Sequence, residues 1–418
     1  MTPDRARAAK TQILSWGSEL GLSAIGIAPA EEPPSSRFLF EWLRCGHHGE
    51  MDYLARDPEA RVDPERILAG CRSVICAALR YGGGQDPARL DPKLGRISRY
   101  AWGDDYHIVL GQRLQDLAAR IGTAWPGVQT RVAVDTSPVL ERAFAAQAGL
   151  GWVGKHTILV DPVRGSWFVL GEVFTTLSLP PDAPVSERCG SCTRCMEACP
   201  TRAIVEPYVL DAGRCLSFWS VERRGPIPAE FSSMIGNWIF GCDLCQEVCP
   251  WNREAPEGSE AGIAPRAENI GRSLAEWSTL GVEAFRERFR GSSVKRARYE
   301  GFMRNVAIAV ENARQEGELQ MNKRSEPVRL YGASWSPECR VIRRFLERHR
   351  VAHEMVEVDR DPAAAAELRQ ATGRRQIPAL RIGAEWLPAF SREEGFRWRE
   401  LAMRLGIPLE EVPELREA

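Results

Sequence analysis

CGSCTRCMEACP at residues 189–200 and CDLCQEVCP at residues 242–250 are the stretches from which the rest of the chain is read. Cys189, Cys192, Cys195 and Cys199, closed by Pro200, follow the C-x2-C-x2-C-x3-C-P spacing of iron–sulfur proteins. The second stretch supplies Cys242, Cys245, Cys249 and Pro250 but lacks a leading Cys, and Cys215 is available to fill that vacancy. Eight thiolates suffice for two [4Fe–4S] clusters. Where two clusters share a chain, the Cys before each Pro crosses to the other cluster. That rule groups Cys189, Cys192, Cys195 and Cys249, and separately Cys199, Cys215, Cys242 and Cys245. Structural zinc is the competing reading, since it also uses C-x2-C pairs. Two zinc sites would not need the third Cys two residues on, nor both Pro residues. Cys45, Cys71 and Cys76 are expected as small core residues. Clusters carry electrons, so something nearby should receive them.

Outward from the cysteines, the chain has 418 residues, about three domains at roughly 150 residues each. Lys and Arg total 55 against 56 Asp and Glu, a net charge of -1. That excludes a uniformly basic nucleic-acid coat and a highly charged disordered chain, but not a local basic patch. Apolar residues make up 44%, enough for ordinary cores. No run approaches the ~20 apolar residues of a membrane span. The start, MTPDRARAAKTQILSW, has no signal-peptide core. A cytoplasmic protein without membrane contact is expected, in which clustered cysteines bind metal rather than forming disulfides.

Before the cysteines the pattern is α/β. Helices are expected over 3–20, over 106–121 on the spacing of Ile108, Leu110, Leu114 and Leu117, and over VLERAFAAQAG, closed by Gly149. Strands are expected at SAIGIAP, RSVICAALRYG, RVAVDTSP and SWFVLGEVFTTL, with a loop at Gly82, Gly83 and Gly84. Their alternation favours a sheet-centred α/β domain over 1–180. The Pro-rich LSLPPDAPVSER marks a boundary, a two-cluster module of bacterial ferredoxin type follows over 181–260, and REAPEGSEAGIAP is irregular. A helical segment over 261–325 ends in the linker NKRSEP.

No G-x-G-x-x-G opens a helix after a strand, so a dinucleotide site has no support. DDYHIVLG nearly matches the D-x-H-x-x-G of corrinoid binding, but its Gly falls one residue late, and His107 is read as a helix-face residue. Asp135 ends a strand and precedes a helix, where a carboxyl projects into a cleft; the alternative is an N-cap.

The Asp135 block, the two Cys motifs with Cys215 between them, RCLSFWSVERRGPIPAEF and FRGSSVKRARYEGFMRNVAIA together resemble the epoxyqueuosine reductase family over about residues 5–312. The resemblance implies reduction of the epoxide of epoxyqueuosine at the tRNA wobble position to queuosine, using cobalamin and two [4Fe–4S] clusters. It maps the catalytic acid onto Asp135, which would need a raised pKa to hold its proton. It maps cobalamin contacts onto Gly154, Lys155, Leu159 and Leu170, and onto Arg61 and Tyr100; for Leu159 and Leu170 plain core is the alternative. It implies an electron donor of flavodoxin or ferredoxin type and a monomer. A tRNA surface is expected at Arg223, Arg224, Lys295, Arg296, Arg298 and Arg304, since clustered cations neutralise phosphates; the bland alternative is a solvated helix face. The rival functions are a corrinoid reductase of small molecules, similar to the dehalogenases, and an electron-transfer protein with no substrate of its own.

Residues 326–418 resemble glutaredoxin-like domains in their βαβ order, in YGASWSPECRVIRRFL and in Ile377-Pro378. Ser336 stands where the usual C-x-x-C has its first Cys, and only Cys339 remains. Dithiol exchange is therefore not expected, and docking or structural support is.

Overall fold

The protein is described from a computed structural model, which covers residues 2–412 except 83–85, 254, 257–261, 326–327, 374–375, 384, 392–394, 406 and 408–411, and the backbone alone at 317–325 and 390–391. Gly83 and Gly84 of the expected loop, and 254 and 257–261 of the irregular stretch, lie outside the described residues. Two compact units divide the chain, residues 1–313 and 314–418.

The first unit is built on four antiparallel strands, β1 (Ala24–Pro29), β2 (Ser73–Arg80), β3 (Thr130–Ala133) and β4 (Phe168–Thr175), in the order β1-β2-β4-β3. Both central strands are buried along nearly their whole length. Their sequences therefore read as continuous apolar runs rather than alternating ones. On one face pack α1 (Pro3–Glu19) and α2 (Tyr106–Ala124), through Ile13, Leu110, Leu114, Leu117 and Ile121. On the other packs α3 (Glu141–Gln147), through Phe144 and Ala145. Each fully buried Leu of α2 contributes about 1.5–3 kcal/mol. Ile108, expected on that apolar face, is 64% exposed. It lies two residues from Leu110, and two helical steps turn the side chain to the opposite face. Strand–helix alternation did not reveal that the sheet is antiparallel, because the long connections between strands permit either direction.

The Pro-rich stretch at 177–188 is docked rather than free. Asp182 accepts from the Ile27 N–H (2.8 Å) and pairs with Lys10 (2.6 Å), and its own N–H donates to the Ile27 carbonyl (2.8 Å). In the cysteine region, short helical turns at Arg194–Glu197 and Leu244–Glu247 carry Cys195 and Cys245, and a turn at Ala212–Arg214 delivers Cys215. Beyond it, Trp277, Phe285, Phe289 and Phe302 form one aromatic core. The helix α4 (Arg298–Ser325) runs on into the expected linker at 322–327. NKRS carries no Gly or Pro to stop a helix.

The second unit has the strands β5 (Val328–Gly332), β6 (His353–Glu357), β7 (Ala379–Ile382) and β8 (Glu385–Pro388) in the order β6-β5-β7-β8, with β5 and β6 parallel. The Ile377-Pro378 bond is cis. Ser336 caps the helix α5 (Pro337–Arg348) by accepting from the Cys339 N–H (3.3 Å), and Cys339 is 1% exposed.

Candidate active site

Asp135 lies just past β3 with a φ of 49°, in a tight turn closed by the Thr136 N–H on the Val134 carbonyl. A non-glycine residue held there costs on the order of 1–3 kcal/mol, and such strain gathers at functional sites. Asp135 is not an N-cap, since the capping position of α3 is Leu140. Its backbone N–H donates to the Glu141 carboxylate.

The Asp135 carboxylate meets His107 Nε2 at 2.9 Å, and His107 Nδ1 meets Asp105 at 2.6 Å. Asp105 caps α2 and so places the imidazole between two carboxylates. His107 is thus part of the site, where the sequence suggested only a helix face. Burial opposes its charge, but the hydrogen bonds and charges of Asp105 and Asp135 win and push its pKa up to about 9. Burial also pushes Asp135 up, but His107, then Tyr106 and Arg296, overcome it and hold the carboxyl below its ordinary value. This reverses the raised carboxyl expected for an acid: at neutral pH the proton rests on His107.

The sign of the linkage gives a prediction. His107 titrates higher folded than unfolded, so its ion pairs stabilise fully below about pH 6.5 and lose that contribution as pH rises through about 9. An NMR titration of His107 is expected to show a midpoint near 9, falling towards 6.5 in Asp135→Asn. An unshifted midpoint in the wild-type chain would contradict this pairing.

Around the pair stand Tyr53, Arg61, Tyr100 and Tyr106, each within reach of the Asp135 charge. Arg61 and Tyr100 were expected here; Tyr53 and Tyr106 were not. Arg61 Nε is buried without a hydrogen-bond partner among the described residues. The Asp135 side chain is 54% exposed, yet burial is the first influence on its pKa.

Beside it opens a cleft of about 690 Å³, lined by Glu50, Met51, Tyr53, Arg56, Phe218, Glu222, Arg223, Arg224, Gly225, Arg296 and Arg298. Arg223 pairs with Glu50, and Arg296 pairs with Glu222 through two hydrogen bonds (2.7 and 2.9 Å). Arg56, Arg224 and Arg298 have no ion-pair partner among the described residues. Four of the arginines expected to meet tRNA thus share one cleft. Lys295 is exposed but not on its lining. Arg304 departs from its expected role: its guanidinium donates to the carbonyls of Trp219, Arg223 and Gly225 (2.8, 3.0 and 2.6 Å), bracing the loop that carries Arg223 and Arg224.

The eight thiols fall into two neighbourhoods. Cys249 feels Cys189 and Cys192, and Cys195 feels Cys249 and Cys189. Cys242 feels Cys215 and Cys245, Cys245 feels Cys215, and Cys199 acts on Cys215 and Cys245; Cys195 of the first group also acts on Cys245, so the two groups adjoin. Among the described residues no three His, Cys, Asp or Glu side chains converge on a single metal ion; these are neighbouring loops, not a closed mononuclear site. Backbone N–H groups point at the sulfurs, as at Ala203 to Cys199 (3.3 Å). The second motif is clamped by buried ion pairs: Arg99 to Asp243 (3.2 Å) and Glu247 (2.8 Å), and Arg96 to Glu247 (2.5 Å) and Asp86 (2.7 Å). Removing one partner of such a network costs about 3–5 kcal/mol.

Lys155, expected against a cofactor, donates instead to the carbonyls of Gly190 and Cys192 (2.6 and 3.0 Å), tying the loop after Trp152 to the first motif. Leu159 and Leu170 pack in the core under α3. Gly154 is also buried, and a Cβ there would lie 3.0 Å from His156.

The family model described as epoxyqueuosine reductase QueG matches residues 61–136, a 4Fe-4S double cluster binding domain matches 188–252, and glutaredoxin matches 328–387. The epoxyqueuosine reductase of Pseudomonas aeruginosa is 43% identical over 315 residues, covering 74% of this chain and 87% of its own. A crystal structure of epoxyqueuosine reductase with an epoxyqueuosine-modified tRNA-Tyr stem loop aligns with a TM-score of 0.69 at 30% identity, over 77% of this chain and 86% of that one. A Bacillus subtilis epoxyqueuosine reductase, described with its catalytic aspartate loop swung out of the active site, aligns at 0.68 and 29% identity over the same shares. No helix among the described residues is long and apolar enough to cross a membrane. The chain belongs to the epoxyqueuosine reductase family.

Proposed function

We propose that the chain reduces the epoxide of epoxyqueuosine at the wobble position of tRNA to queuosine, with Asp135 delivering protons to the departing oxygen. The observation that carries this is the Asp105–His107–Asp135 chain of hydrogen bonds at the edge of an arginine-lined cleft. Two [4Fe–4S] clusters and cobalamin are the cofactors of this chemistry. When bound, they supply single electrons and a low-valent metal centre able to open the strained ring. The residues present fit them: two four-thiol neighbourhoods suit the clusters, and the buried, unpartnered Arg61 Nε beside Asp135 would donate to a corrin side-chain amide. Arg61 and Tyr100 would hold that ring on the Asp135 side.

In the open site Asp135 is a carboxylate paired to the His107 imidazolium. A substrate reaching Asp135 from the cleft excludes water, and the oxygen gains negative charge as its bond to carbon breaks. Both effects raise the carboxyl pKa. The proton then passes from His107 Nε2 to Asp135 and on to oxygen. Asp105 holds the ring and keeps Nδ1 protonated. Electrons reach the site from a donor protein of flavodoxin or ferredoxin type.

The cleft supplies the anchoring of RNA. Arg224 and Arg298, whose charges are not spent on acids, should each contribute more than Arg296. Arg224→Ala and Arg298→Ala together are expected to weaken tRNA binding and to reduce its log-log salt slope by roughly 0.7–0.9 for each phosphate no longer neutralised. Measuring affinity against salt with unmodified tRNA tests this. An unchanged slope would place the RNA elsewhere and remove the cleft from the proposed function.

A further inference from the structure

Two carboxyl groups behind the Asp135 loop take no part in the reading above. Glu172 lies on β4, in register with Cys76 of β2 and Ala133 of β3. It stands at the centre of the sheet, among the residues of the core under α3. It is 0% exposed, and neither of its carboxyl oxygens has a hydrogen-bond partner among the described residues. An ionised carboxylate there would be an uncompensated buried charge, so Glu172 is held as the neutral acid. Burial first, then the Glu141 charge, favour that form.

Glu141 opens α3 and reaches back to accept the Asp135 N–H. Facing it are Asp135 from the loop, Tyr106 and His107 from α2, Arg142 from its own helix, and Cys76 and Glu172 from the sheet. Burial first, then the Asp135 charge, push its carboxyl up to about 7. A carboxyl so placed keeps its proton more readily than an ordinary one, directly behind the reactive carboxylate.

The reaction needs such a group. Converting an epoxide to an alkene breaks two C–O bonds, forms one C–C π bond, and consumes two electrons and two protons, with the oxygen leaving as water. The clusters and cobalamin carry the electrons. The His107–Asp135 couple stores one proton. We propose that Glu141, in the same buried surroundings that keep Glu172 neutral, stores the second and passes it to Asp135 after the first C–O bond has broken. Glu141 acts through Asp135, so this inference rests on Asp135 being the acid.

Glu141→Gln separates a proton store from a mere latch. Its amide oxygen still accepts the Asp135 N–H, but it has no acid proton to give. In the full-length reconstituted protein, Glu141→Gln is expected to lower kcat by ~10²-fold or more, to leave KM for tRNA unchanged, and to abolish the dependence of kcat on pH around neutrality. Infrared spectra of the full chain without substrate should show a carboxylic-acid C=O band that shifts in D2O and is missing in Glu172→Gln. That readout does not depend on turnover. Wild-type kcat with an unchanged pH profile in Glu141→Gln would overturn the proposal, as would the absence of an acid band in the wild-type chain. Asp135→Asn run alongside separates the two failures. If it retains turnover, Asp135 is not the acid; if it is inactive while Glu141→Gln is not, only the second-proton assignment falls.

Discussion

Asp135→Asn, in a chain that keeps its clusters and cobalamin, is expected to lose ~10²–10⁴-fold in turnover, the usual contribution of a positioned acid. The amide keeps the shape of the side chain. It leaves no group to carry a proton from His107 Nε2, 2.9 Å away, to the substrate oxygen. It also removes one of the two charges that raise His107, so the imidazolium store weakens. Binding should be spared, because RNA affinity is assigned to the arginines of the cleft. The pattern to look for is therefore a lost kcat with a KM close to wild type. A variant with near wild-type turnover would mean that the proton reaches the oxygen by another route.

Cys249→Ala should have an effect of similar size by a different route. Cys249 sits in the second motif, but its thiol neighbours Cys189, Cys192 and Cys195 of the first. Removing it should empty the cluster of the first motif and leave that of the second. Iron and sulfide should fall from about eight to about four of each per chain, the content of one four-iron cluster. Cys215→Ala should empty the other. Electrons arrive singly, so either loss should stop epoxide reduction. Loss of both clusters from Cys249→Ala, or loss of the one held by Cys242 and Cys245, would contradict the crossed arrangement.

The cysteines were legible because ligand spacing is written directly into sequence. Asp135 was legible as a carboxyl leaving a strand, and Ser336 as a missing thiol. His107 was not, because a histidine two residues into a helix gives no sign of which strand end its ring will meet. The signal that would have found it was Asp105, a capping residue whose free oxygen fixes the ring. Glu172 was hidden for a related reason: in an apolar strand a lone Glu reveals neither which face it takes nor whether anything pairs with it. The arginine-rich stretch pointed to residues that the structure gathers in one cleft, but not to how each is paired. Composition cannot distinguish Arg304, spent on three carbonyls, from Arg298, which faces the cleft. Nor could composition show that the Lys155 ammonium holds the cluster loop.

The central claim is that the arginine cleft, the Asp135–His107 pair and the two thiol neighbourhoods serve one reaction on one RNA. Its most direct test is anaerobic reconstitution of the full chain with iron, sulfide and cobalamin, followed by single-turnover reaction with epoxyqueuosine-containing tRNA and a low-potential reductant. Nucleoside analysis of the RNA should show epoxyqueuosine replaced by queuosine, with the Asp135→Asn chain leaving it untouched. Intact epoxyqueuosine after reaction with a fully loaded wild-type chain would contradict the account.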